Sequence, residues 1–505
     1  MLMETWDKDL RSIQETRNLI KKAKEAQAKL AVMTQAEIDA IVKAIAEAAY
    51  NHRERLAKMA NEETGFGRWQ DKVIKNAFAS KHVYESIKHM RTVGILMDDK
   101  TNKVMQVAVP VGVVAGLIPS TNPTSTVIYK ALISIKAANS IVFSPHPNAL
   151  KCIMETVRVV NDAAVAAGCP EGAISAISVP TMQGTDTLMK HKEVDLILAT
   201  GGTAMVKAAY SSGTPAIGVG PGNGPAFIEK SANIPLAVKR ILDSKTFDNG
   251  TICASEQSII VEPCSKEAVV AELKKQGAYF LSKGEAEKLE KFIMRPNGTM
   301  NPQIVGRTVE YIANLANLQV PAGTRVLIAE ETRVGNNVPY SREKLGPILA
   351  FYTEDDWESA CERCIEILNL EGAGHTMMIH SENEQIVREF ALRKPVSRLL
   401  VNTPGALGGI GATTALSPAL TLGCGAVGGS STSDNISPLN LLNIRRMAYG
   451  VRELEDLLEP ISESCSSVAS SIDLTDKEQL VEMIVKRLLA ESSSLSSNCS
   501  IMNNR

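Results

Sequence analysis

Cys253 is the residue of this 505-residue chain whose surroundings most favour chemistry. It lies in TFDNGTICASEQSIIVE (residues 246–262), between small hydrogen-bonding residues and an alternating apolar run. A cysteine attacks as the thiolate, which nearby donors or positive potential stabilise. The neighbours of Cys253, with Gly250 among them, suit a nucleophile, and a buried cysteine that only fills space is the alternative.

Asn122 is a second candidate, because two prolines flank it in LIPSTNPTS (residues 117–125) after a strand-like run. Such a rigid frame suits a side-chain amide that donates a hydrogen bond to a developing oxyanion. Capping of the helix that follows is the alternative role for this side chain.

A third segment, ATGGTAM (residues 199–205), follows a strand-like run and opens a helix. The backbone N–H groups of Gly201, Gly202 and Thr203 are therefore candidates to bind a dinucleotide phosphate at a helix N-terminus. A tight strand–helix turn is the alternative. Neither a P-loop motif nor a clean G-x-G-x-x-G accompanies this segment.

Composition argues against several classes of partner. The formal net charge is −2 and aromatic residues make up 4% of the chain, so we expect no nucleic-acid or membrane-surface partner. The nine cysteines lack the paired spacing of a disulfide framework. Cys361 and Cys364 form a CxxC pair, but no second pair or nearby histidine completes a zinc site, so we expect no metal and favour a buried helix face.

The amino-terminal residues and the apolar runs bear on location. Residues 1–10 lack the apolar core of a secretory signal. The longest apolar run, residues 107–118, is too short to cross a bilayer and is interrupted by Pro110, Gly112 and Gly116. We therefore expect a cytoplasmic protein.

The sequence predicts two regions of secondary structure that position these candidate residues. Residues 5–95 predict helices, and Thr34 with Glu37 predicts a capping box for a helix that continues to about Arg55. Beyond about residue 103 strand and helix patterns alternate, which is typical of a parallel, helix-covered sheet that binds a nucleotide.

A second α/β segment starts near residue 246 and continues to about 430. Its residues 405–429 are dense in glycine, which indicates close backbone approach or tight turns. The leucine, isoleucine and valine residues between those glycines favour an ordered loop over a flexible linker.

The last fifty residues have a different pattern. A Ser-rich stretch reads as a linker over residues 451–473, and an amphipathic helix follows over residues 474–491. Thr475 and Glu478 predict its capping box. One face of this helix is apolar and carries Leu480, Val481, Ile484, Val485, Leu488 and Leu489.

Several motifs, in this order along the chain, resemble the aldehyde dehydrogenase superfamily and specifically its CoA-acylating branch, over roughly residues 5–450. They are PSTNPTS, FSPHPNA, ATGGTAMVKAAYSSGTPAIGVGPGN, FDNGTICASEQS, REKLGPILA, GAGHT and TLGCGAVGG. The resemblance implies an α/β fold with a Rossmann-type cofactor domain, an α/β catalytic domain and a small oligomerisation arm. The corresponding residues would be 1–97 with 110–245, then 246–429, and 98–109 with 430–450.

The resemblance also implies roles for individual residues. Cys253 would be the nucleophile, Asn122 with the Cys253 backbone N–H would form the oxyanion hole, and His375 of GAGHT would be an active-site residue, a structural turn being the alternative. Glu343 would contact the cofactor ribose. Further cofactor-binding positions would be Ser120, Thr121, Ser144, His146, Pro147, Thr200, Gly201, Gly202 and Gly220.

Departures from the hydrolytic branch of that superfamily indicate which acceptor takes the acyl group. Where hydrolytic members carry a glutamate base in E-L-G-G-K, this chain reads VGPGNGP (residues 219–225), which offers no carboxylate to activate water. Coenzyme A, whose thiolate attacks thioesters well, is then the expected acceptor. Ser144 replaces the lysine that binds the adenosine ribose in hydrolytic members; we favour NAD, and NADP stays open.

The predicted reaction is therefore reversible oxidation of acetaldehyde or propionaldehyde to acyl-CoA, in a homo-oligomer that is a dimer or tetramer. A hydrolytic or longer-chain semialdehyde dehydrogenase and a catalytically silent assembly scaffold are the alternatives. Enzymes of this branch often work inside bacterial microcompartments, and residues 474–491 resemble their encapsulation peptides. We expect that location and a shell-protein partner, against docking of the helix on its own oligomer.

Overall fold

The computed structural model describes residues 7–457 and 481–488. Its helices are α1 (Lys8–Leu30), α2 (Gln35–Asn51), α3 (Arg53–Thr64), α4 (Trp69–Ala77), α5 (Val83–Ile87), α6 (Pro123–Lys136), α7 (Leu150–Ala166), α8 (Met182–Lys190), α9 (Thr203–Tyr210), α10 (Ile234–Thr246), α11 (Pro263–Lys275), α12 (Lys283–Ile293), α13 (Val309–Leu315), α14 (Trp357–Leu370), α15 (Glu384–Arg393) and α16 (Gly405–Gly409). Residues 481–488 are also helical.

The strands belong to three sheets, which are described in turn below. They are β1 (Gly94–Asp99), β2 (Val104–Pro110), β3 (Val113–Ile118), β4 (Ser140–Pro145), β5 (Ile174–Ala176), β6 (Leu196–Thr200), β7 (Ala216–Val219), β8 (Gly224–Ile228), β9 (Glu256–Val261), β10 (Ala278–Phe280), β11 (Val326–Glu330), β12 (Ile348–Thr353), β13 (Gly374–His380), β14 (Val396–Val401) and β15 (Leu442–Ala448).

The first sheet has the order β5-β4-β3-β6-β7, and every neighbouring pair is parallel. Apolar residues alternate between its faces: Val114 packs with α2, α6 and α7, whereas Val113 and Leu117 pack with α1 and α8. The chain runs outward from β3 to β5, then returns to the other side of β3 at β6. This reversal creates a crevice at the carboxyl ends of β3 and β6, where doubly wound folds bind nucleotides.

The second sheet has seven strands in the order β10-β11-β12-β9-β8-β13-β14, again parallel throughout. Helices α10 and α11 cover one face, and α12 to α15 cover the other. Cys253 lies just before β9, and β13 starts at Gly374, next to His375. Cys253 and His375 therefore lie at the amino ends of β9 and β13, the two strands that flank β8.

The two parallel, helix-covered sheets confirm the α/β fold class predicted from the sequence. The strand pairing places the start of the second sheet before residue 245, where the sequence predicted a domain boundary. Strand β8 pairs with β9 and β13, so its Ala226 and Ile228 join the core formed with Ile241 of α10. The second sheet therefore begins about twenty residues earlier, because β8 is buried on both faces and needs helices on each side.

A third sheet of three strands has the order β1-β2-β15. Its side chains are more exposed than those of the parallel sheets, and Ile95, Met97 and Met447 are each about two-fifths exposed. The assignment of residues 98–109 and 430–450 to an oligomerisation arm stays a prediction. By their internal contacts the described residues divide into two units, one within residues 7–99 and 105–447 and the other within residues 100–104, 448–457 and 481–488.

The amino-terminal helices carry the predicted capping box. Glu37 N donates to Thr34 Oγ1 at 3.3 Å, and Thr34 N donates to Glu37 Oε2 at 2.7 Å. Helix α2 ends at Asn51 rather than near Arg55, because His52 leaves helical geometry before α3 begins. The predicted capping box of Thr475 and Glu478 lies outside the described residues.

Among the helices that the structure describes, none combines the length and apolar character needed to cross a bilayer.

Replacing Thr34 by alanine tests the capping box. We expect Thr34→Ala to lower the free energy of unfolding by about 1 kcal/mol, because the N–H of Glu37 loses its acceptor at the helix start. Urea unfolding followed by circular dichroism measures the change. Thr34→Ser keeps the hydroxyl and is the matched control; an equal loss in both variants would contradict a role for the capping bond.

Candidate active site

A tight backbone turn presents Cys253. Asp248 and Asn249 both have φ near +50°, and Gly250 follows at +75°, so three successive residues are left-handed. Such strain persists only where the surroundings fix it. The turn ends in a short loop in which Ser255 N donates to Ile252 O at 3.0 Å, and Cys253 lies partly exposed between those two residues.

The structure brings His375 to the nucleophile. Its Nε2 lies 3.2 Å from Cys253 Sγ, and its Nδ1 lies 3.0 Å from Thr376 Oγ1. Arg398 Nε donates to the same hydroxyl oxygen at 3.2 Å. A ring that donates from Nδ1 to Thr376 leaves Nε2 as an acceptor facing the thiol. His375 therefore has the geometry of a base for Cys253.

Burial makes both members of this pair neutral. It lowers the pKa of His375 to about 3, with the Arg398 cation acting in the same direction. Burial also raises the pKa of Cys253 to about 12, and the Glu343 carboxylate adds to that effect. The resting pair is thus a thiol beside a neutral imidazole, and thiolate forms when a proton moves to Nε2 during attack.

Asn122 directs its amide toward the same turn. It precedes α6, but its side chain makes no capping hydrogen bond, so the capping interpretation is wrong. Its Nδ2 instead donates to Thr251 O at 2.9 Å, two residues before Cys253. Because Asn122 follows β3, the carboxyl end of the first sheet meets the nucleophile turn here. The amide therefore lies beside the turn that carries Cys253.

A buried ion cluster behind the turn was missed by the sequence analysis. The Asp248 carboxylate is fully buried and receives the ammonium groups of Lys72, at 2.9 Å, and Lys75. Burial opposes ionisation of Asp248, but the charges of the two lysines outweigh it and lower its pKa. The only available signal was a pair of lysines three apart on one face of α4, in WQDKVIKNA, a pattern that a solvated helix shares.

Glu343 lies on the other side of Cys253. Its Oε1 accepts from Gly222 N at 3.0 Å, and burial, with help from the Glu371 charge, raises its pKa to about 8. A Cβ at Gly222 would lie 1.9 Å from the Cys253 carbonyl oxygen, so the segment 219–225 packs its bare backbone against the turn. A carboxyl therefore lies near Cys253, but it belongs to a separate loop and is mostly protonated near pH 7.

Nine of the ten proposed cofactor positions lie at the carboxyl edge of the first sheet, and the tenth, Glu343, precedes β12 of the second sheet. The nine follow four strands of the first sheet: Ser120 and Thr121 after β3, Ser144, His146 and Pro147 at the end of β4, Thr200, Gly201 and Gly202 at the end of β6, and Gly220 after β7.

Individual contacts show how well this edge fits a nicotinamide dinucleotide. The buried Thr200 hydroxyl has no hydrogen-bond partner, and a Cβ at Gly202 or Gly220 would meet nothing within 4 Å. The Ser144 hydroxyl, by contrast, is bonded to Thr185 Oγ1 at 2.8 Å. His146 accepts from Asn148 N through Nδ1, and its burial lowers its pKa. Open glycines and an orphan donor at the crevice suit a phosphate-bearing ligand.

The two cysteines of the CxxC pair lie on the buried face of a helix. Cys361 and Cys364 are buried on α14, and Lys394 Nζ donates to Cys361 O at 2.7 Å. Among the described residues no group of three histidine, cysteine or acidic side chains is placed to hold a metal ion.

Comparison with protein families finds that the model of the aldehyde dehydrogenase family matches residues 9–414. The chain is 43% identical over 442 residues to the bifunctional aldehyde-alcohol dehydrogenase AdhE of Escherichia coli (strain K12), and the match covers 86% of this chain. The chain spans about half the length of that protein.

Solved structures show the same similarity. A probable aldehyde dehydrogenase from Listeria monocytogenes EGD-e is 74% identical, with a TM-score of 0.89, and the match covers 90% of this chain and all of that one. An acetylating aldehyde dehydrogenase from Geobacillus thermoglucosidasius is 55% identical, with a TM-score of 0.87, over 89% of this chain and 99% of its own. A propionaldehyde dehydrogenase from the Clostridium phytofermentans fucose utilisation bacterial microcompartment is 27% identical, with a TM-score of 0.78, over 87% and 98%.

The protonation state of Cys253 gives a direct test of this geometry. Because its pKa is raised to about 12, the thiolate fraction grows with pH across the whole working range. We expect alkylation of Cys253 by iodoacetamide to rise about tenfold per pH unit between pH 7 and 10. Mass spectrometry of the digested protein measures it, with the exposed Cys264 as an internal reference. A plateau below pH 9 would instead indicate a preformed thiolate–imidazolium pair.

Proposed function

The chain belongs to the aldehyde dehydrogenase family, and from that premise we propose that it oxidises a short-chain aldehyde to acyl-CoA with reduction of a nicotinamide cofactor, reversibly. The observation that carries the proposal is the 3.2 Å approach of His375 Nε2 to Cys253 Sγ beside the amide of Asn122. Acetaldehyde and propionaldehyde are the proposed substrates, in keeping with the acetylating and propionaldehyde enzymes to which the chain is similar.

The chain's own residues divide the chemistry between them. Cys253 Sγ forms a bond to the aldehyde carbon while its proton passes to His375 Nε2, and the resulting oxyanion accepts hydrogen bonds from Asn122 Nδ2 and the Cys253 backbone N–H. A bound nicotinamide ring supplies the acceptor for the hydride lost by that carbon. Cys253 then holds the acyl group as a thioester.

Transfer of the acyl group to coenzyme A completes the proposed cycle. Once His375 has released its first proton to solvent, Nε2 accepts the proton of the CoA thiol and the CoA sulfur attacks the thioester carbon. Cys253 leaves as the thiolate and takes that second proton back from His375. At neutral pH the Glu343 carboxyl is mostly protonated and accepts from Gly222 N, so it is a poor base for water. This supports acyl transfer to a thiol rather than hydrolysis.

The cofactor is proposed to bind at the carboxyl edge of the first sheet, with phosphate contacts at Gly201 and Gly202 and a ribose contact at Glu343. NAD is proposed as the physiological cofactor, and NADP is included in the test below. A hydrolytic enzyme is the second candidate, and the observation in its favour is the carboxyl of Glu343, whose pKa of about 8 would let it act as a base in alkaline solution.

Dependence on coenzyme A tests the proposal. We expect reduction of NAD with acetaldehyde or propionaldehyde at pH 7 to be at least tenfold faster with CoA than without it, because water lacks a base at the thioester. Absorbance of the reduced cofactor measures the rate, with NADP assayed in parallel. Equal rates with and without CoA would favour hydrolysis.

Cys253→Ala should abolish this turnover, since no acyl acceptor remains, and Cys264→Ala is the matched control because Cys264 is exposed and distant in sequence. Retained activity in the Cys253 variant would reassign the nucleophile.

We also propose that the enzyme forms a homo-oligomer through the β1-β2-β15 sheet and works inside a bacterial microcompartment. Similarity to an enzyme from such a compartment supports the location. The helix over residues 481–488 supports the proposed encapsulation role, because Val481, Ile484, Val485 and Leu488 are about half exposed while Lys486 pairs with Glu482. Leu480 and Leu489 of the predicted apolar face lie outside the described residues.

Variants of this helix distinguish shell binding from docking on the enzyme's own oligomer. We expect Ile484→Glu with Leu488→Glu to abolish co-sedimentation with shells and to leave solution activity and oligomeric state unchanged. Lys486→Glu, on the polar face, is the matched control and should remain encapsulated. Loss of the oligomer in the double variant, or its continued encapsulation, would contradict the proposal.

A further inference from the structure

We propose that Lys75 is a positioning residue that fixes which atom of the Asn122 side chain faces the reacting carbon. The inference deepens the proposed function and rests on it, because it assigns a determinant to the oxyanion donor. Lys75 lies on α4, in the part of the chain that the sequence analysis assigned only to helices, and it is almost fully buried.

Three acceptors surround the Lys75 ammonium. Its Nζ donates to Asn122 Oδ1, to Asp248 Oδ2 and, at 3.1 Å, to Thr251 Oγ1. These contacts use all three N–H groups of the ammonium. Lys75 therefore joins the oxyanion residue, the buried carboxylate and the nucleophile turn through one nitrogen atom.

An ammonium donates hydrogen bonds and cannot accept them, so its amide partner must be the oxygen. This settles the orientation of the Asn122 amide, whose two ends have almost the same shape. With Oδ1 held by Lys75, Nδ2 is directed to Thr251 O at 2.9 Å, and its other N–H has only a weak contact with Thr121 Oγ1 at 3.4 Å. That N–H is the one available to an oxyanion formed at Cys253.

The charge on Lys75 also strengthens the donor. A cation at Oδ1 draws electron density from the amide and makes its N–H groups more acidic, which favours contact with a negatively charged oxygen. Asp248 holds the cation in place and is itself held by Arg68 N at 2.7 Å. Burial lowers the pKa of Lys75 to about 8, an effect that the Asp248 charge opposes, so the ammonium is the major form at neutral pH.

Lys72 offers a matched control within the same cluster. It is as deeply buried as Lys75 and donates to the same Asp248 oxygen, but its other contact is Thr121 O at 3.0 Å, and it does not bond to Asn122. Loss of either lysine leaves Asp248 with one cation. An effect that arises from the ion cluster alone would appear in both variants.

The test compares Lys75→Met, Lys72→Met, Asn122→Ala and the double variant Lys75→Met, Asn122→Ala in the full chain. Steady-state rates are measured with acetaldehyde, NAD and CoA, and alkylation of Cys253 is measured in parallel. We expect Lys75→Met to lower kcat by about 10- to 100-fold, which is less than the roughly 10²- to 10³-fold loss on removing a whole oxyanion donor, because the Asn122 amide is still present. KM for the aldehyde and the alkylation rate should change less than threefold, and Lys72→Met, which keeps the bond between Lys75 and Asn122, should lower kcat at least fivefold less than Lys75→Met does.

The double variant distinguishes an effect of Lys75 through Asn122 from a general structural effect. If Lys75 acts through Asn122, its replacement costs nothing further once Asn122 is alanine, so kcat of the double variant equals that of Asn122→Ala. If the loss of kcat in the double variant equals the product of the losses in the two single variants, the proposal is overturned. Equal losses in the Lys75 and Lys72 variants would also overturn it.

Two further arms keep the outcome decisive. If Lys75→Met fails to unfold cooperatively, Lys75→Arg and Lys75→Gln replace it: the arginine side chain only donates and should retain kcat within fivefold, whereas the glutamine amide can present either atom and should lose more. Equal activity of these two variants would overturn the proposal. Wild-type protein without CoA-dependent turnover, or Asn122→Ala with wild-type kcat, would instead refute the proposed function on which this inference rests.

Discussion

The buried carboxylate of Asp248 is the interaction on which the geometry of the site depends. It lies in a left-handed turn that would be strained in isolation, and it offsets two lysine charges that would be costly to bury alone. One lysine fixes the amide that follows β3, and the other fixes the Thr121 carbonyl beside it. The turn before Cys253, the side chain of Asn122 and the carboxyl end of β3 are thus joined by one ion cluster that solvent does not reach.

A second feature of the site is that Cys253 and His375 are both uncharged at rest. Burial disfavours charge on both Cys253 and His375, so the resting pair is a thiol beside a neutral imidazole. The same low polarity keeps a proton on Glu343 at neutral pH. An environment of this kind lets a proton move between neighbours at the moment of attack and gives little help to a water molecule.

Sequence patterns predicted the fold class because strand and helix alternation is a local signal. Alternation of strands and helices identified the parallel sheets, and the Thr34 capping box appeared where the sequence placed it. Cys253, Asn122 and His375 were singled out by motif, and the structure brings them together. The boundary after residue 245 failed because β8 has the same pattern in either sheet, and only its pairing with β9 and β13 assigns it. Lys72 and Lys75 were missed because two lysines on a short helix usually face water, and their counter-ion lies 176 and 173 residues away.

That separation has a consequence for how the protein reaches its native state. The ammonium groups belong to a helix made early in the chain, whereas their carboxylate arrives with the segment that enters the second sheet. Until the later sheet docks, the two lysines of the earlier helix lack their buried carboxylate partner Asp248, and burying that face is costly. Gly67 adds a steric condition, since a Cβ there would lie 1.8 Å from Asp248 Oδ1. Formation of the candidate site is therefore coupled to completion of the fold, and a chain that ends before its second half would lack the turn that carries Cys253.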